Sequence, residues 1–248
     1  MIVIKSVQEI EKMRKAGSIV RSTLEKMRHA IKPGVTTLEL DNIAEEHIRS
    51  FGAVPSFKGY AGFPASICAS VNEVVVHGIP NAVYTLKEGD IIGIDVGAIL
   101  NGFHGDAAET FPVGNISEEA TRLLEITKLS LYKGIDIART GNRLSDIGHA
   151  VQTFVEDAGL SVVRDFVGHG IGRKMHEDPQ IPNFGVPHHG PIIKTGMTFA
   201  IEPMVNAGVY NVFVMPDNWT VKTKDGKLSA HFEQTVAVTD DSPVILTQ

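Results

Sequence analysis

The chain repeats itself at a constant offset of 107 residues, and this constrains its fold more than any single motif. Gly34 and Gly52 bracket a helix-like run, and Gly141 and Gly159 bracket another of equal length. Their apolar faces correspond: Leu40, Ile43, Ala44, His47, Ile48 and Phe51 fall on Ile147, Ala150, Val151, Phe154, Val155 and Ala158. Carried on without a gap, the offset lays Gly89 on Gly196, Ile94 on Ile201 and Asp95 on Glu202. Each copy has an apolar helix face that needs cover, so the copies are expected to pack as one domain. That domain spans residues 1–248, in halves of about 1–111 and 112–248. Two acids at equivalent strand positions direct attention to the space between the halves.

The other elements follow from periodicity. Ile10, Met13, Gly17, Val20, Leu24, Met27 and Ile31 recur at spacings of three and four, one face of a helix that Pro33-Gly34 ends. Thr36-Thr37 start a second helix that runs to Gly52, and Phe57–Pro64 reads as a Gly- and aromatic-rich loop. Strands are expected over Ile67–Val76, Asp90–Ala98 and Phe103–Phe111, then helices over Glu119–Ile137 and Ser145–Ala158. Short strands follow around Met197–Val205, Thr220–Thr223 and Phe232–Thr239. Helices followed by strands, twice, is an α+β pattern with helices packed on a largely antiparallel sheet.

The net charge of −6 shows no basic excess that would point to nucleic acid. No run approaches the ~20 apolar residues of a membrane span. The N-terminus turns charged within a few residues and lacks an apolar signal segment. A cytoplasmic protein is the expectation. Cys68 is the one cysteine, so no intrachain disulfide can form, and a buried structural thiol is expected there.

Period-two alternation places Ile92, Ile94 and Val96 on one strand face and Asp95, between Gly93 and Gly97, on the other. In the matched strand Phe199 and Ile201 leave Glu202 opposite. Asp106 alternates with His104 and Ala108, and Glu233 with His231 and Thr235. Taken singly, each is a solvated strand acid. Converging, four acids would raise one another's pKa values and oppose folding unless cations neutralised them. Carboxylates with one imidazole suit divalent Mn, Fe, Co or Zn. The imidazole candidate is His169, in a Gly-rich turn, with His176 and His77 as further polar candidates; His188-His189 is assigned no role. There is no GxxxxGK[ST] phosphate loop and no HExxH helix. At the constant offset the mates of His169, Asp106 and Glu233 are Gly62, Phe213 and Ile126, so only Asp95 and Glu202 obey the repeat.

These residues sit in NEVVVHGIP (72–80), IDVGAILNGFHGDAAETF (94–111), GHGIGRKMHEDP (168–179), FAIEPMV (199–205) and HFEQTVAVT (231–239). Together the stretches resemble the type I methionine aminopeptidases of the duplicated pita-bread metallohydrolases. The resemblance implies a pita-bread fold of two pseudo-symmetric halves, helices packed on a curved, largely antiparallel sheet. It implies a dinuclear site of two divalent ions (Co, Mn, Fe or Zn). Asp106 and Glu233 would bridge, Asp95 would hold one ion, and His169 and Glu202 the other. A metal-bound hydroxide would attack the carbonyl of an N-terminal methionine, removed when the second residue is small. By the same analogy Glu202 shuttles the proton, His176 bonds the developing oxyanion and His77 contacts the scissile amide.

The resemblance also implies a methionine pocket of Phe57, Tyr60, Phe63, Cys68, Met175 and Trp219. At Phe57, Phe63 and Met175 the chain departs from the family's common Cys, Tyr and Phe. Only 32 residues separate His169 from Glu202, leaving no room for the helical insertion of type II enzymes. The implied partners are the N-terminal methionine of peptides and nascent proteins, with the ribosome as a further candidate. No nucleic-acid or membrane role is implied, and a monomer is expected. On the family rule this chain's own Met1 is retained, because Ile2 is bulky.

Overall fold

The computed structural model describes residues 1–248. Helix α1 (Val7–Ala30) starts on a capping box, with the Ser6 hydroxyl taking the Glu9 N–H and the Glu9 carboxylate taking the Ser6 N–H. Helices α2 (Thr37–Ser50) and α4 (Leu144–Asp157) have bounds 107 residues apart, and so do their N-terminal locks. The Glu39 carboxylate accepts the Thr36 N–H at 2.7 Å, and that of Asp146 accepts the Arg143 N–H at 2.8 Å. The bracketing glycines match in backbone as well. Gly34 and Gly141 have φ of 94° and 96°, a left-handed conformation that costs glycine little.

The strands of the first half are β1 (Val54–Pro55), β2 (Ile67–Val71), β3 (Val74–Val76), β4 (Ile91–Leu100) and β5 (Phe103–Pro112). After α3 (Glu118–Ile137) and α4 come β6 (Ser161–Val162), β7 (Gly168–Gly170), β8 (Glu177–Ile181), β9 (Thr198–Ile201) and β10 (Met204–Asn206). The chain then runs through β11 (Val212–Val214), β12 (Val221–Thr223), β13 (Ser229–His231), β14 (Gln234–Ala237) and β15 (Val244–Ile245). Every strand pair is antiparallel, and the pairing divides into four short sheets. The fold is the α+β pita-bread architecture. Ile92, Ile94 and Val96 enter a core with α1 and α2, while Phe199 and Ile201 enter a second core with α3 and α4.

Two expected strands are broken, and a third, Phe232–Thr239, is shortened to Gln234–Ala237. Asn72, at φ 54°, turns the chain between β2 and β3. Pro203, which has no N–H to give a ladder, separates β9 from β10. The chain also leaves the ladder at Phe232-Glu233, between β13 and β14. His169 lies on strand β7, not in a turn: its neighbouring glycines let β9 and β8 approach so closely that a Cβ at Gly168 or Gly170 would sit 2.4 Å from the Ala200 carbonyl or 2.1 Å from that of Asp178.

The register also corrects the repeat mates. β1 pairs Val54 with Ile99 and β6 pairs Ser161 with Asn206, so the offset of 107 holds there. Beyond it, Gly97 faces Asp106 while its mate Met204 faces His231. Asp106 therefore corresponds to His231, not Phe213. Likewise Gly93 faces Ser70 while Ala200 faces His169, so the mate of His169 is Ser70, not Gly62. Ala108 and Glu233 exchange backbone hydrogen bonds of 3.3 and 2.9 Å, which marks the pseudo-twofold axis and makes Ala108, not Ile126, the counterpart of Glu233. A gapless offset misplaces Asp106 and Glu233 because β11 and β12 are inserted before β13, and misplaces His169 because the connection leading to β7 is shorter than the one leading to β2.

Candidate metal centre and substrate cavity

β5 and the segment joining β13 to β14 meet edge to edge at that axis, and threonine hydroxyls pin them. The Thr235 Oγ1 takes the Asp106 N–H at 3.0 Å and donates to the Asp106 carbonyl at 2.8 Å. Reciprocally, the Thr110 Oγ1 takes the His231 N–H at 2.9 Å and donates to the His231 carbonyl at 2.8 Å. The backbone of Asp106 is thus held independently of its carboxylate.

The carboxylate oxygens need something else. Oδ1 of Asp95, Oδ1 of Asp106 and Oε1 of Glu233 are buried without a hydrogen-bond partner. An unpaired buried charge is too costly to persist, so the groups neutralise or bind a cation. Burial comes first among the causes that push Asp95 up to about 7 and Glu202 to about 8. It also comes first for Asp106 and Glu233, with neighbouring carboxylates adding to it, and both lie well above the usual carboxylate range. Without a cation these acids hold protons near neutral pH. A cation that enters must displace them.

His169 completes the donor set. Its Nδ1 lies 2.9 Å from the Gly170 carbonyl, an acceptor, which places the proton on Nδ1 and leaves the Nε2 lone pair free. Burial pushes its pKa down to about 3, so the ring is neutral. Nε2 stands 3.8 Å from Asp106 Oδ2 and 3.6 Å from Glu202 Oε1. Two donors each about 2.1 Å from one cation at a tetrahedral angle stand roughly 3.4 Å apart. Ligand atoms of Asp106, His169 and Glu233 all lie within 4.8 Å of one another. Orphaned oxygens, a neutral imidazole and this spacing fit a divalent cation.

The cluster floors a cavity of about 140 Å³, close to an engineered cavity that takes a benzene ring. Its lining is Asp95, Asp106, His169, Glu202 and Glu233 together with His77, His176, Phe57, Tyr60, Phe63, Cys68, Met175 and Trp219. These are the thirteen residues singled out from the sequence, and the structure brings all of them together. Phe57, Phe63, Cys68 and Met175 are buried in one apolar cluster with Trp219 against it. Cys68 faces Asp95 in the β2–β4 register. Burial, then the Asp95 charge, pushes its thiol well up, so it is a neutral wall and not a nucleophile.

His176 and His77 stand at the edge of this cavity. The Tyr60 hydroxyl lies 2.7 Å from His176 Nδ1, fixing the ring, whose centroid is 4.3 Å from that of His169. Burial lowers the His176 pKa. His77 has φ 57°, a conformation that costs a non-glycine residue on the order of 1 kcal/mol or more. The chain is held there because Gly78 packs directly on the Ala69 carbonyl, where a Cβ would come within 2.3 Å, and its carbonyl accepts the Ala69 N–H at 2.8 Å. Burial pushes His77 down to about 4. His231, visible in the sequence only as a residue alternating with Glu233, also lies against this group, 3.6 Å from Glu202.

Comparison with known proteins gives the family. A methionine aminopeptidase 1 of Bacillus subtilis is 58% identical over 248 residues, covering 100% of both chains. A methionine aminopeptidase of Clostridium acetobutylicum is 58% identical over 247 residues, covering 100% of this chain and 99% of that one. The crystal structure of methionine aminopeptidase from Rickettsia prowazekii superposes with a TM-score of 0.99 at 44% identity, covering 100% of each chain. A prolidase from Pyrococcus furiosus shares the fold at a TM-score of 0.81 and 22% identity, with this chain covering 65% of it. The model of metallopeptidase family M24 matches residues 11–240, and the chain belongs to that family.

Proposed function

We propose that this chain is a methionine aminopeptidase that uses divalent metal to hydrolyse the bond after an N-terminal methionine. The observation that carries the reading is a single cavity in which a carboxylate–imidazole cluster abuts a slot of aromatic and sulfur side chains. A thioether is polarisable and fits aromatic and sulfur walls well. Relatives named for this activity match the chain end to end.

In this reading Asp95, Asp106, His169, Glu202 and Glu233 would hold two divalent ions. When bound, such ions activate water and polarise the scissile carbonyl. The chain's own groups do the rest. The apolar slot seats the methionine side chain and excludes water from it. Glu202, whose carboxylate lines the cavity beside His169, carries the proton between water and the leaving amine. His176, ordered by Tyr60, donates a hydrogen bond to the carbonyl oxygen as charge develops there. His77, neutral at pH 7, contacts the scissile amide. The whole chain acts as one catalytic domain, and its place is the cytoplasm, where nascent chains present methionine. No helix is long and apolar enough to cross a membrane.

A peptide panel tests the substrate. Met-Ala-Ser should lose methionine, whereas Met-Leu-Ser, Leu-Ala-Ser and an Xaa-Pro dipeptide should be cleaved at least about 100-fold more slowly, a difference of about 2.7 kcal/mol. Equal or faster turnover of the Xaa-Pro peptide would make the chain a prolidase-like enzyme on the same fold.

A further inference from the structure

The two oxygens of Glu202 face two different imidazoles. Oε1 lies 3.6 Å from Nε2 of His169, and Oε2 lies 3.6 Å from Nε2 of His231. His169 belongs to the ligand cluster; the sequence gives His231 no role. The His231 side chain is 4% exposed, and its Nε2 has no hydrogen-bond partner. A buried polar group left unpaired costs about 1–3 kcal/mol, so a fold keeps one where something else depends on it.

The backbone shows that the aim is built in. His231 occupies the position in the second half that Asp106 occupies in the first, and the same threonine clasp holds each. Strand β13 therefore delivers residue 231 to the cleft as β5 delivers Asp106. By contrast His104, which alternates with Asp106 as His231 does with Glu233, is satisfied by the Ser56 hydroxyl at 2.8 Å.

We propose that His231 is a positioning residue for Glu202: with its proton on Nε2 it holds Oε2, and so turns Oε1 toward the side faced by His169. The proposal rests on the reading of Glu202 as ligand and proton carrier given above. The present separation exceeds a hydrogen bond by a few tenths of an ångström, and long hydrogen bonds in an empty site tighten when the site is filled. Without His231 the carboxylate is free to rotate, and both its metal affinity and its orientation toward water suffer.

Three substitutions test this, with Glu202→Ala as reference. A glutamine amide can place an N–H where imidazole Nε2 stands, while asparagine reaches only the Nδ1 position. His231→Leu and His231→Asn are expected to lose about 10- to 100-fold in kcat for Met-Ala-Ser with KM within about two-fold. They should also bind Mn(II) about 10- to 100-fold more weakly by calorimetry. His231→Gln should recover most of both. Unchanged kcat and Mn(II) affinity in His231→Leu, or equal behaviour of the Gln and Asn variants, would overturn the proposal. The Gln–Asn contrast decides the matter even where leucine weakens folding. Full activity in Glu202→Ala would instead sink the underlying assignment of Glu202, whatever His231 does.

Discussion

Asp106→Ala should lower kcat/KM for Met-Ala-Ser by at least about 10³-fold, roughly 4 kcal/mol of transition-state stabilisation, while the metal-free chain melts no lower than the parent. The two halves of that expectation have different causes. Activity falls because Asp106 belongs to the cluster with His169 and Glu233, and its buried Oδ1 has no hydrogen-bond partner and is free to take a cation. Stability survives because the Thr235 hydroxyl holds the Asp106 backbone, not its carboxylate. Removing one acid from a buried group of four also relieves repulsion and desolvation that the metal-free fold must bear. A residue that merely supports the fold would lose both properties together. Kinetics on the metal-supplied variant and thermal unfolding of the chelated one separate the cases, and a lowered melting temperature with activity lost in proportion would contradict this account.

Gly105→Val should destabilise the chain by about 3 kcal/mol, lowering its melting temperature by roughly 6–12 °C for a protein of this size. Here α1 touches β5 backbone to backbone. A Cβ at Gly105 would stand 2.7 Å from the Gly17 nitrogen and 2.9 Å from the Gly17 Cα. The helix cannot retreat, because a Cβ at Gly17 would itself meet the Leu246 carbonyl at 2.1 Å. The nearest atoms at both points are backbone, which cannot swing aside to absorb the strain. Because Gly105 precedes Asp106, the shift should also reach the cluster and reduce turnover. A melting temperature within about 1 °C of the parent would show that helix and strand part more easily than their packing implies.

The same geometry explains which features the sequence discloses. Helices α2 and α4 are visible because their apolar faces and locks, Glu39 with Thr36 and Asp146 with Arg143, recur at one offset. Asp95 and Glu202 are visible as a pair because the shorter connection before β7 is made up before β9, so the offset of 107 holds again at those strands. The constant offset fails once β11 and β12 intervene, so Asp106 and His231 cannot be matched without the hydrogen-bond register. Strand β7 is hidden because Gly168 and Gly170 carry no strand preference; close approach to β8 and β9, not propensity, makes them extended. The breaks between β2 and β3 and between β9 and β10 carry local signals in Asn72 and Pro203, which the apolar runs on either side mask. His231 and His104 sit alike beside an acid two residues on, and only their surroundings tell a paired imidazole from an unpaired one.

The central claim is that the halves of a duplicated chain enclose an asymmetric cleft whose acids are compatible with folding and useful only around divalent metal. Titrating Mn(II) into the chelated protein while following turnover of Met-Ala-Ser tests it most directly. Turnover should be absent after chelation and rise with the ion bound, and protons should be released as Asp95 and Glu202 give up the ones that burial makes them hold. Undiminished turnover in the chelated, metal-free protein would contradict the claim.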